Sequence, residues 1–545
     1  MNFSSRDRSS FLFRLKNESF DLLVIGGGIT GAGIALDAAS RGLKVALIDK
    51  SDFAFGTSSR STKLIHGGLR YLKQLEFGLV KEVGSERAIV HKLAPHLVVP
   101  EKMLLPLHEK KGLGYWLTSI GLKVYDFLAG VQPEDQRRML TRHQTLKAEP
   151  LLRNNDVKGG ALYAEYRTDD ARLTIEIIKA AAHHGALLLN YVAAEEFVYT
   201  DQHISGITAT DQFNQTSFTV HAKAVVNATG PWVDELRERN NSRTGKRLHL
   251  TKGIHIVLPH YKLPVRQAIY FDVGDGRMIF AIPRGRVTYA GTTDTDYDGD
   301  KNNVVATRDD AAYLIRAINA MFPVVALKPE DIESSWAGLR PLIFEEGKSA
   351  SELSRKDEIF ESQSGLISIA GGKLTGYRKM AERVVNLVIR RHFAQYTLKK
   401  VNTHHIKLAS SDWDTKEVKR YIHAVATQFA VHNLSFVAAQ ELVERYGMQT
   451  KIICAEFEQL ANIHPAPLAL LLAQLKYGIR HEMVCTINDF FVRRTGLLYF
   501  NIDEVRQWKD AIAEDIGSIL NWSPERKKQE VALLNELLSA ASADL

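Results

Sequence analysis

A glycine-rich turn near the start of the chain has the residue types and spacing needed to bind a dinucleotide. Residues 26–31 read Gly-Gly-Gly-Ile-Thr-Gly and satisfy the pattern GxGxxG. These glycines permit a tight turn, close approach of the backbone to a pyrophosphate, and packing of the following helix on its sheet. Amides of the first helical turn then face the phosphates. The motif is weak alone, so its meaning depends on the surrounding elements.

A carboxylate stands where the ribose of such a ligand would be bound. Asp49 follows the glycine turn at the interval of about 20 residues that is typical of this motif. A carboxylate accepts hydrogen bonds from ribose hydroxyls and repels a 2′-phosphate, so NADP is not expected.

The elements that position these residues form a βαβ unit. An apolar, β-rich run at 21–25 predicts a strand, 30–40 a helix that Gly42 ends, and 44–48 a second strand. A unit of this kind opens a parallel sheet.

The pattern after this unit is mixed. Residues 73–146 are predicted to be mainly helical, interrupted by Pro95, Pro100 and Pro106. A helix is predicted at 170–184 and a strand at 186–191.

Short alternating runs fill residues 204–300 and predict an antiparallel sheet inserted into the nucleotide-binding domain. A strand at 364–370 and a helix at 377–391 follow. Beyond about residue 400 the spacing is helical, most clearly at 416–446 and 525–540, and a domain boundary is expected at 396–412.

Composition limits the class of protein. A chain of 545 residues is expected to form two or three domains. Its net charge of +7 favours anionic partners without choosing among them. No run of five or six basic residues occurs, so a nucleic-acid-binding arm is not expected. Two distant cysteines fit a reducing cytosol. No apolar stretch reaches the length of a spanning helix, so membrane contact is expected to be peripheral.

No metal site is predicted. Residues 294–299 copy the first half of a calcium-binding loop, but the twelfth position is Val305 instead of the required glutamate. The sequence contains no HExxH motif and no Cys/His cluster with zinc spacing.

A second motif favours FAD over NAD. Residues 227–230 read Asn-Ala-Thr-Gly at a predicted strand end, nearly 200 residues after the glycine turn. Such a strand end is typical of flavoproteins in which the chain returns to the nucleotide-binding domain.

A longer segment resembles a known family. Residues 56–72, GTSSRSTKLIHGGLRYL, resemble the signature of FAD-dependent, quinone-linked glycerol-3-phosphate dehydrogenases. Further similar motifs follow in the family's order, at 166–173, 226–232, 252–255, 291–294, 336–342, 371–378 and 489–495.

The resemblance implies an α/β fold with a Rossmann-type FAD-binding domain of the glutathione-reductase and D-amino-acid-oxidase kind. It is expected to carry an inserted antiparallel-sheet substrate domain and a C-terminal helical domain. The expected segments are a lead-in at 1–18, an FAD-binding domain at 19–95, 155–235 and 350–400, a substrate sheet at 236–349 and helices at 401–545.

The glycine turn and the resemblance together predict the residues that contact FAD. Hydroxyls and amides of 57–63 would donate hydrogen bonds to flavin or pyrophosphate oxygens, and amides of 371–375 would face the flavin C2 carbonyl. The predicted contacts are Ile25, Gly26, Gly27, Gly28, Ile29, Thr30, Gly31, Asp49, Lys50, Thr57, Ser58, Ser59, Ser61, Thr62, Lys63, His66, Gly67, Gly68, Ala228, Gly230, Gly372, Lys373, Leu374 and Thr375.

The resemblance also implies a pocket for a phosphorylated polyol. Basic side chains suit its phosphate, and Arg378 lies in the same motifs as the other cations. The implied substrate contacts are Arg70, Tyr71, His255, Arg340, Arg355, Lys373 and Thr375.

The implied reaction moves the C2 hydride of glycerol 3-phosphate to flavin N5 while a base takes the hydroxyl proton. His255 and His66 are both candidate bases, with His255 favoured, and Arg340 would polarise the developing alkoxide.

The implied electron acceptor is a membrane quinone, and the expected location is cytoplasmic, on the inner face of the cell membrane. A homodimer is also expected. One alternative is an oxidase that reduces oxygen to hydrogen peroxide, and another is a flavin-containing scaffold that binds nucleic acid. Two amphipathic stretches, 115–128 and 467–479, are candidates for bilayer contact, although core packing is the preferred interpretation.

Overall fold

The computed structural model describes residues 3–65, 77–108, 136–344, 357–410 and 413–542. Its strands are β1 (Ser19–Ile25), β2 (Val45–Ile48), β3 (Leu64–Ile65), β4 (Val99–His108), β5 (Arg138–Thr141), β6 (Val157–Arg167), β7 (Leu187–Leu189), β8 (Val192–Thr200), β9 (His203–Asp211), β10 (Ser217–Asn227), β11 (Leu248–Pro259), β12 (Ala268–Asp272), β13 (Met278–Arg284), β14 (Val287–Gly291), β15 (Thr295–Asp296), β16 (Ser334–Ile343), β17 (Asp357–Glu361) and β18 (Ile367–Gly371).

The helices are α1 (Arg8–Asn17), α2 (Ile29–Arg41), α3 (Phe77–Leu93), α4 (Arg142–Ala148), α5 (Asp170–His183), α6 (Val233–Arg239), α7 (Arg308–Met321), α8 (Tyr377–His392), α9 (Thr415–Ala430), α10 (Phe436–Tyr446), α11 (Thr450–Leu460), α12 (Ala466–His481), α13 (Leu497–Phe500), α14 (Ile502–Ile519) and α15 (Pro524–Ser542). A π-helical turn, Asp489–Arg494, precedes α13.

The first sheet contains the predicted βαβ unit. Its strand order is β17-β18-β10-β1-β2-β7, and β8 and β9 extend it beside β10. Strands β18, β10, β1, β2 and β7 are parallel. Helix α2, with α5 and α8 packed beside it, lies against β1 and β2, and α1 contacts β7 and β10. This cover explains why residues 22–25 of β1 and all of β2 are apolar and buried. The carboxyl ends of β1, β10 and β18 therefore meet at one edge.

The second sheet runs β15-β11-β14-β13-β12-β4-β6-β3, with β16 beside β11 and β5 beside β6. Its described pairings are antiparallel except for β12 with β4. The predicted antiparallel sheet is thus present. However, β3, β4, β5 and β6 precede the expected segment 236–349, so two separate stretches of chain build this sheet.

The prediction of mainly helical structure over 73–146 was wrong for β4 and β5. Pro100 and Pro106 were interpreted as breaks, yet both lie within β4. Strand β12 pairs with β4 only at Met103 and Leu104, so both prolines lie beyond the paired residues on that side. A missing amide is tolerated there.

The expected lead-in at 1–18 is also structured. Helix α1 buries Phe11 and Leu15, which lie one turn apart. Arg8 Nη2 donates to Asp211 Oδ1 at 2.6 Å and ties this helix to the first sheet.

The helices after residue 400 share a core with the second sheet. Phe457 and Leu471 belong to the same buried cluster as Tyr289 and Trp336. The segment 467–479 lies within α12 and packs in this core, whereas 115–128 lies outside the described residues. Among the described helices, none has both the length and the apolar character that crossing a bilayer requires.

Candidate functional site

The glycine turn after β1 accepts no larger residue at two positions. Gly26 has φ +109°, in the region that favours glycine. A β-carbon on Gly31 would lie 1.8 Å from the Gly26 carbonyl oxygen. The start of α2 can therefore approach the strand end closely, as binding of a pyrophosphate to this helix requires.

Hydrogen-bonding groups surround this turn. Gly27 N and Ser51 N donate to the Asp49 carboxylate at 2.7 and 2.8 Å. Burial raises the pKa of Asp49 to about 6. The Ile29 amide donates to Ser58 Oγ at 2.9 Å, which brings the segment 57–63 to the helix N-terminus. The Asp49 carboxylate fits the ribose of a dinucleotide, and the Ser58 hydroxyl at the helix N-terminus fits its phosphates.

The segment 57–63 joins this edge to the second sheet. Thr57 Oγ1 donates to the Leu339 carbonyl at 2.7 Å. The Trp336 indole N–H donates to the Ser61 carbonyl at 3.2 Å. The segment 57–63 therefore links the glycine turn to β16 and would hold part of an FAD bound at this edge.

The ammonium group of Lys63 forms an ion pair inside the protein. Its ammonium donates to Asp170 Oδ1 at 2.5 Å and to the Ser59 carbonyl at 3.2 Å, in a buried position. The Ser61 amide donates to the other Asp170 oxygen at 2.9 Å. Asp170, which received no role from the sequence, thus holds the segment against α5.

His255 lies on β11 beside this segment. Its Nε2 is 3.1 Å from Thr62 Oγ1, and its ring stacks on Trp336 with centroids 4.7 Å apart. Burial, and to a smaller extent the charges of Arg340 and Lys63, hold the pKa of His255 well below its ordinary value of 6.5. The imidazole is therefore neutral near pH 7 and can accept a proton.

Arg340 lies on β16, the neighbour of β11. Its Nη1 donates to the Thr293 carbonyl and to Asp294 Oδ1, both at 3.0 Å. Its Nη2 donates to Thr292 Oγ1 at 2.8 Å. These contacts orient the guanidinium on the same sheet as His255.

The third strand end carries the other predicted contacts. Gly372, Lys373, Leu374 and Thr375 follow β18, at the same edge as Ile25, Ala228 and Gly230. Thr375 is buried in the short turn Leu374–Gly376, which packs against α3.

Two predicted cations make other contacts. Arg378 forms a buried ion pair with Glu86, so its charge serves the packing of α8 on α3. The Lys50 ammonium lies 4.6 Å from the Trp232 ring and donates to Asn302 at 3.0 Å.

Six predicted contacts cannot be placed, because they lie outside the described residues: His66, Gly67, Gly68, Arg70, Tyr71 and Arg355.

Sequence reasoning assigned no role to Trp336 or Tyr289. The Tyr289 hydroxyl donates to the Thr62 carbonyl at 3.1 Å, and burial raises its pKa. Trp336 also contacts Tyr499 and Phe500 of the C-terminal helices. The one signal in the sequence was that Trp336 lies within the motif 336–342. Its contacts could not be predicted, because the residues that it touches are remote in sequence.

Comparison with protein families defines the class. The family model described as FAD dependent oxidoreductase matches residues 21–378, so the chain belongs to that family and FAD is its cofactor. The model for the C-terminal domain of alpha-glycerophosphate oxidase matches residues 401–527.

Individual relatives narrow this class. Aerobic glycerol-3-phosphate dehydrogenase of Staphylococcus haemolyticus is 46% identical over 99% of this chain and 98% of its own length. The same enzyme of Staphylococcus aureus strain USA300 is 48% identical over 96% of this chain and 95% of its own length. The chain therefore belongs to the aerobic glycerol-3-phosphate dehydrogenase family.

A solved structure supports the fold. Glycerol-3-phosphate dehydrogenase from Bacillus halodurans, complexed with FAD, matches with a TM-score of 0.85 and 43% identity over 100% of this chain and 99% of its own. The predicted fold class is confirmed. L-alpha-glycerophosphate oxidase from Mycoplasma pneumoniae, at 19% identity and a TM-score of 0.55 over 71% of this chain and 97% of its own, shares the fold alone.

Proposed function

We propose that this chain oxidises sn-glycerol 3-phosphate to dihydroxyacetone phosphate and passes the electrons to a membrane quinone. The observation that carries the proposal is the placement of His255 and Arg340 on the paired strands β11 and β16, with His255 against the segment 57–63, which Ser58 joins to the glycine turn. A neutral base and a fixed cation beside a flavin site suit the oxidation of a secondary alcohol.

FAD, when bound, supplies the hydride acceptor. His255 takes the proton of the C2 hydroxyl, because its neutral imidazole carries a lone pair and stacking on Trp336 holds the ring in one orientation. His66 remains the second candidate base, in a segment outside the described residues.

Arg340 stabilises the negative charge that develops on the C2 oxygen. Its contacts with Thr292 and Asp294 keep the guanidinium in place, so little reorganisation is needed during the reaction. The phosphate contacts proposed from the sequence are Arg70, Tyr71, Arg355, Lys373 and Thr375.

The names of the relatives describe aerobic dehydrogenases and support a dehydrogenase over an oxidase, whereas the quinone acceptor is proposed from the resemblance of the sequence motifs. The rival is an oxidase that reduces oxygen, and the family model matched at 401–527 favours it by name. We also propose a role in glycerol catabolism, peripheral contact with the inner face of the cell membrane, and a homodimer.

Anaerobic reduction tests the function. Glycerol 3-phosphate should bleach the bound flavin without oxygen, and a soluble quinone should reoxidise it faster than air does. Faster reoxidation by air, with release of hydrogen peroxide, would support the oxidase. Absence of bleaching, together with steeply salt-dependent DNA binding, would support a nucleic-acid-binding scaffold instead.

A matched pair of variants tests the base. His255→Ala should slow flavin reduction by roughly 10²–10⁴-fold, the usual contribution of a general base. His260→Ala is the control, because His260 also bonds a threonine, Thr288, at 2.9 Å but lies just beyond the end of β11, away from the segment 57–63. Equal reduction rates for His255→Ala and the wild type would exclude His255 as the base.

A further inference from the structure

Thr62 is held at both its hydroxyl and its backbone. Its Oγ1 is 3.1 Å from His255 Nε2, and its carbonyl accepts the Tyr289 hydroxyl at 3.1 Å. On either side, Ser61 accepts the Trp336 indole N–H, and Lys63 pairs with Asp170. The hydroxyl therefore meets the imidazole from a backbone with little freedom to move.

The two nitrogens of His255 have different surroundings. Nε2 faces the Thr62 hydroxyl, whereas Nδ1 is buried and has no hydrogen-bond partner within the ranges of chain that the structure describes. Stacking on Trp336, with the two ring planes 14° apart, sets the plane of the imidazole. A neutral imidazole carries its proton on one nitrogen only, so the partner of one nitrogen decides what the other can do.

We infer that Thr62 is a positioning residue that accepts the Nε2–H of His255 and leaves the Nδ1 lone pair as the proton acceptor. The inference rests on the proposed function. The substrate O–H bond breaks and its proton forms the Nδ1–H bond, while the C2 hydrogen leaves as hydride to the cofactor. The imidazolium so formed keeps its Nε2–H bond to Thr62.

This role differs from the FAD contact that the sequence predicts for Thr62. A residue that binds FAD affects cofactor affinity, whereas a residue that orients His255 affects the rate of hydride transfer. The two roles are therefore separable by experiment.

Thr62→Val replaces the hydroxyl by a methyl group, and Thr62→Ser retains the hydroxyl. Flavin reduction by saturating glycerol 3-phosphate should be slower in Thr62→Val, on the order of 10- to 100-fold, and largely recovered in Thr62→Ser. FAD content and KM should change little. The acid limb of the rate should move to lower pH in Thr62→Val, because the imidazolium loses a charge-assisted hydrogen bond.

A double-mutant cycle tests whether Thr62 acts through His255. The variant carrying both Thr62→Val and His255→Asn should be no slower than His255→Asn alone. Additive losses, or loss of FAD from Thr62→Val, would overturn the inference. If the wild type is not reduced by glycerol 3-phosphate, the proposed function fails instead.

The tautomer has a readout that needs no turnover. Solid-state ¹⁵N spectra of histidine-labelled protein, with His255→Asn to assign the signal, should show His255 protonated at Nε2 and unprotonated at Nδ1. The opposite tautomer in the wild type would refute the inference whatever the kinetics show.

Discussion

At the nucleotide-binding edge, the Asp49 carboxylate holds two backbone amides and has a raised pKa. Its two oxygens accept the amides of Gly27 and Ser51. Burial nevertheless raises its pKa to about 6, within reach of ordinary assay conditions. Ribose hydroxyls donate to a carboxylate better than to a neutral acid, so FAD binding should favour the ionised form.

FAD affinity is therefore expected to depend on pH. Below about pH 6 the apoprotein carries a protonated Asp49, and affinity should fall by up to about tenfold per pH unit. Titration of apoprotein with FAD between about pH 5 and 8 measures this. Asp49→Asn is the matched control and should bind more weakly, with a flatter pH profile. An unchanged Kd for the wild type across this range would contradict the prediction.

At the scale of elements, α2 depends on close approach to its neighbours. Gly31 lies against the Gly26 carbonyl, and Gly33 lies against Tyr377 of α8. Small residues on this helix let it pack between the strand end and α8, with its N-terminus aimed at the cofactor edge.

Gly31→Ala should therefore impair both stability and FAD binding. A β-carbon 1.8 Å from a backbone oxygen cannot be accommodated without moving the helix, at a cost of at least about 1–3 kcal/mol. Gly78→Ala is the control: this glycine lies in α3 and an added β-carbon there meets nothing within 4 Å. Thermal unfolding and flavin content measure both variants. Normal flavin content in Gly31→Ala would contradict the expected geometry.

At the scale of the whole molecule, buried charges join the first and last parts of the chain. Asp52 accepts Arg493 Nε at 2.5 Å and Arg494 Nη1 at 2.7 Å, and all three residues are buried. Burial alone would raise the pKa of Asp52, but the charges of Arg494 and Arg493 outweigh it and lower the pKa to about 2. The C-terminal helices are thus bonded to the nucleotide-binding domain.

Arg494→Met should destabilise the protein by about 3–5 kcal/mol, because one partner of a buried network is removed. Arg506→Met is the control, since Arg506 pairs with Asp503 at the exposed surface, and its loss should cost no more than about 1 kcal/mol. Thermal unfolding at neutral pH compares the two. The contribution of ionised Asp52 to the free energy of unfolding should be complete above pH 3.8, the ordinary pKa of the group. It should be lost as the pH falls through the folded-state pKa of about 2. Equal losses of stability in the two variants would contradict the proposed stabilising contact between the domains.

The sequence alone determined the local parts of this protein. The glycine turn, Asp49 and the flanking strand and helix were predicted within two residues of their observed bounds. Such elements depend on neighbours a few residues away, so periodicity and turn chemistry suffice to predict them. The resemblance added the class of enzyme, because its motifs occur together in one order.

Only the tertiary structure decided how the remote residues are used. Lys63 and Arg378 look alike as cations in glycine-rich motifs, yet Asp170 and Glu86 neutralise them. Trp336 orients His255. The two residues are 81 positions apart in sequence, and the pairing of β11 with β16 places them opposite each other. Contacts of this kind depend on how sheets and helices pack, and no local pattern encodes which charge will meet which partner once the chain is folded.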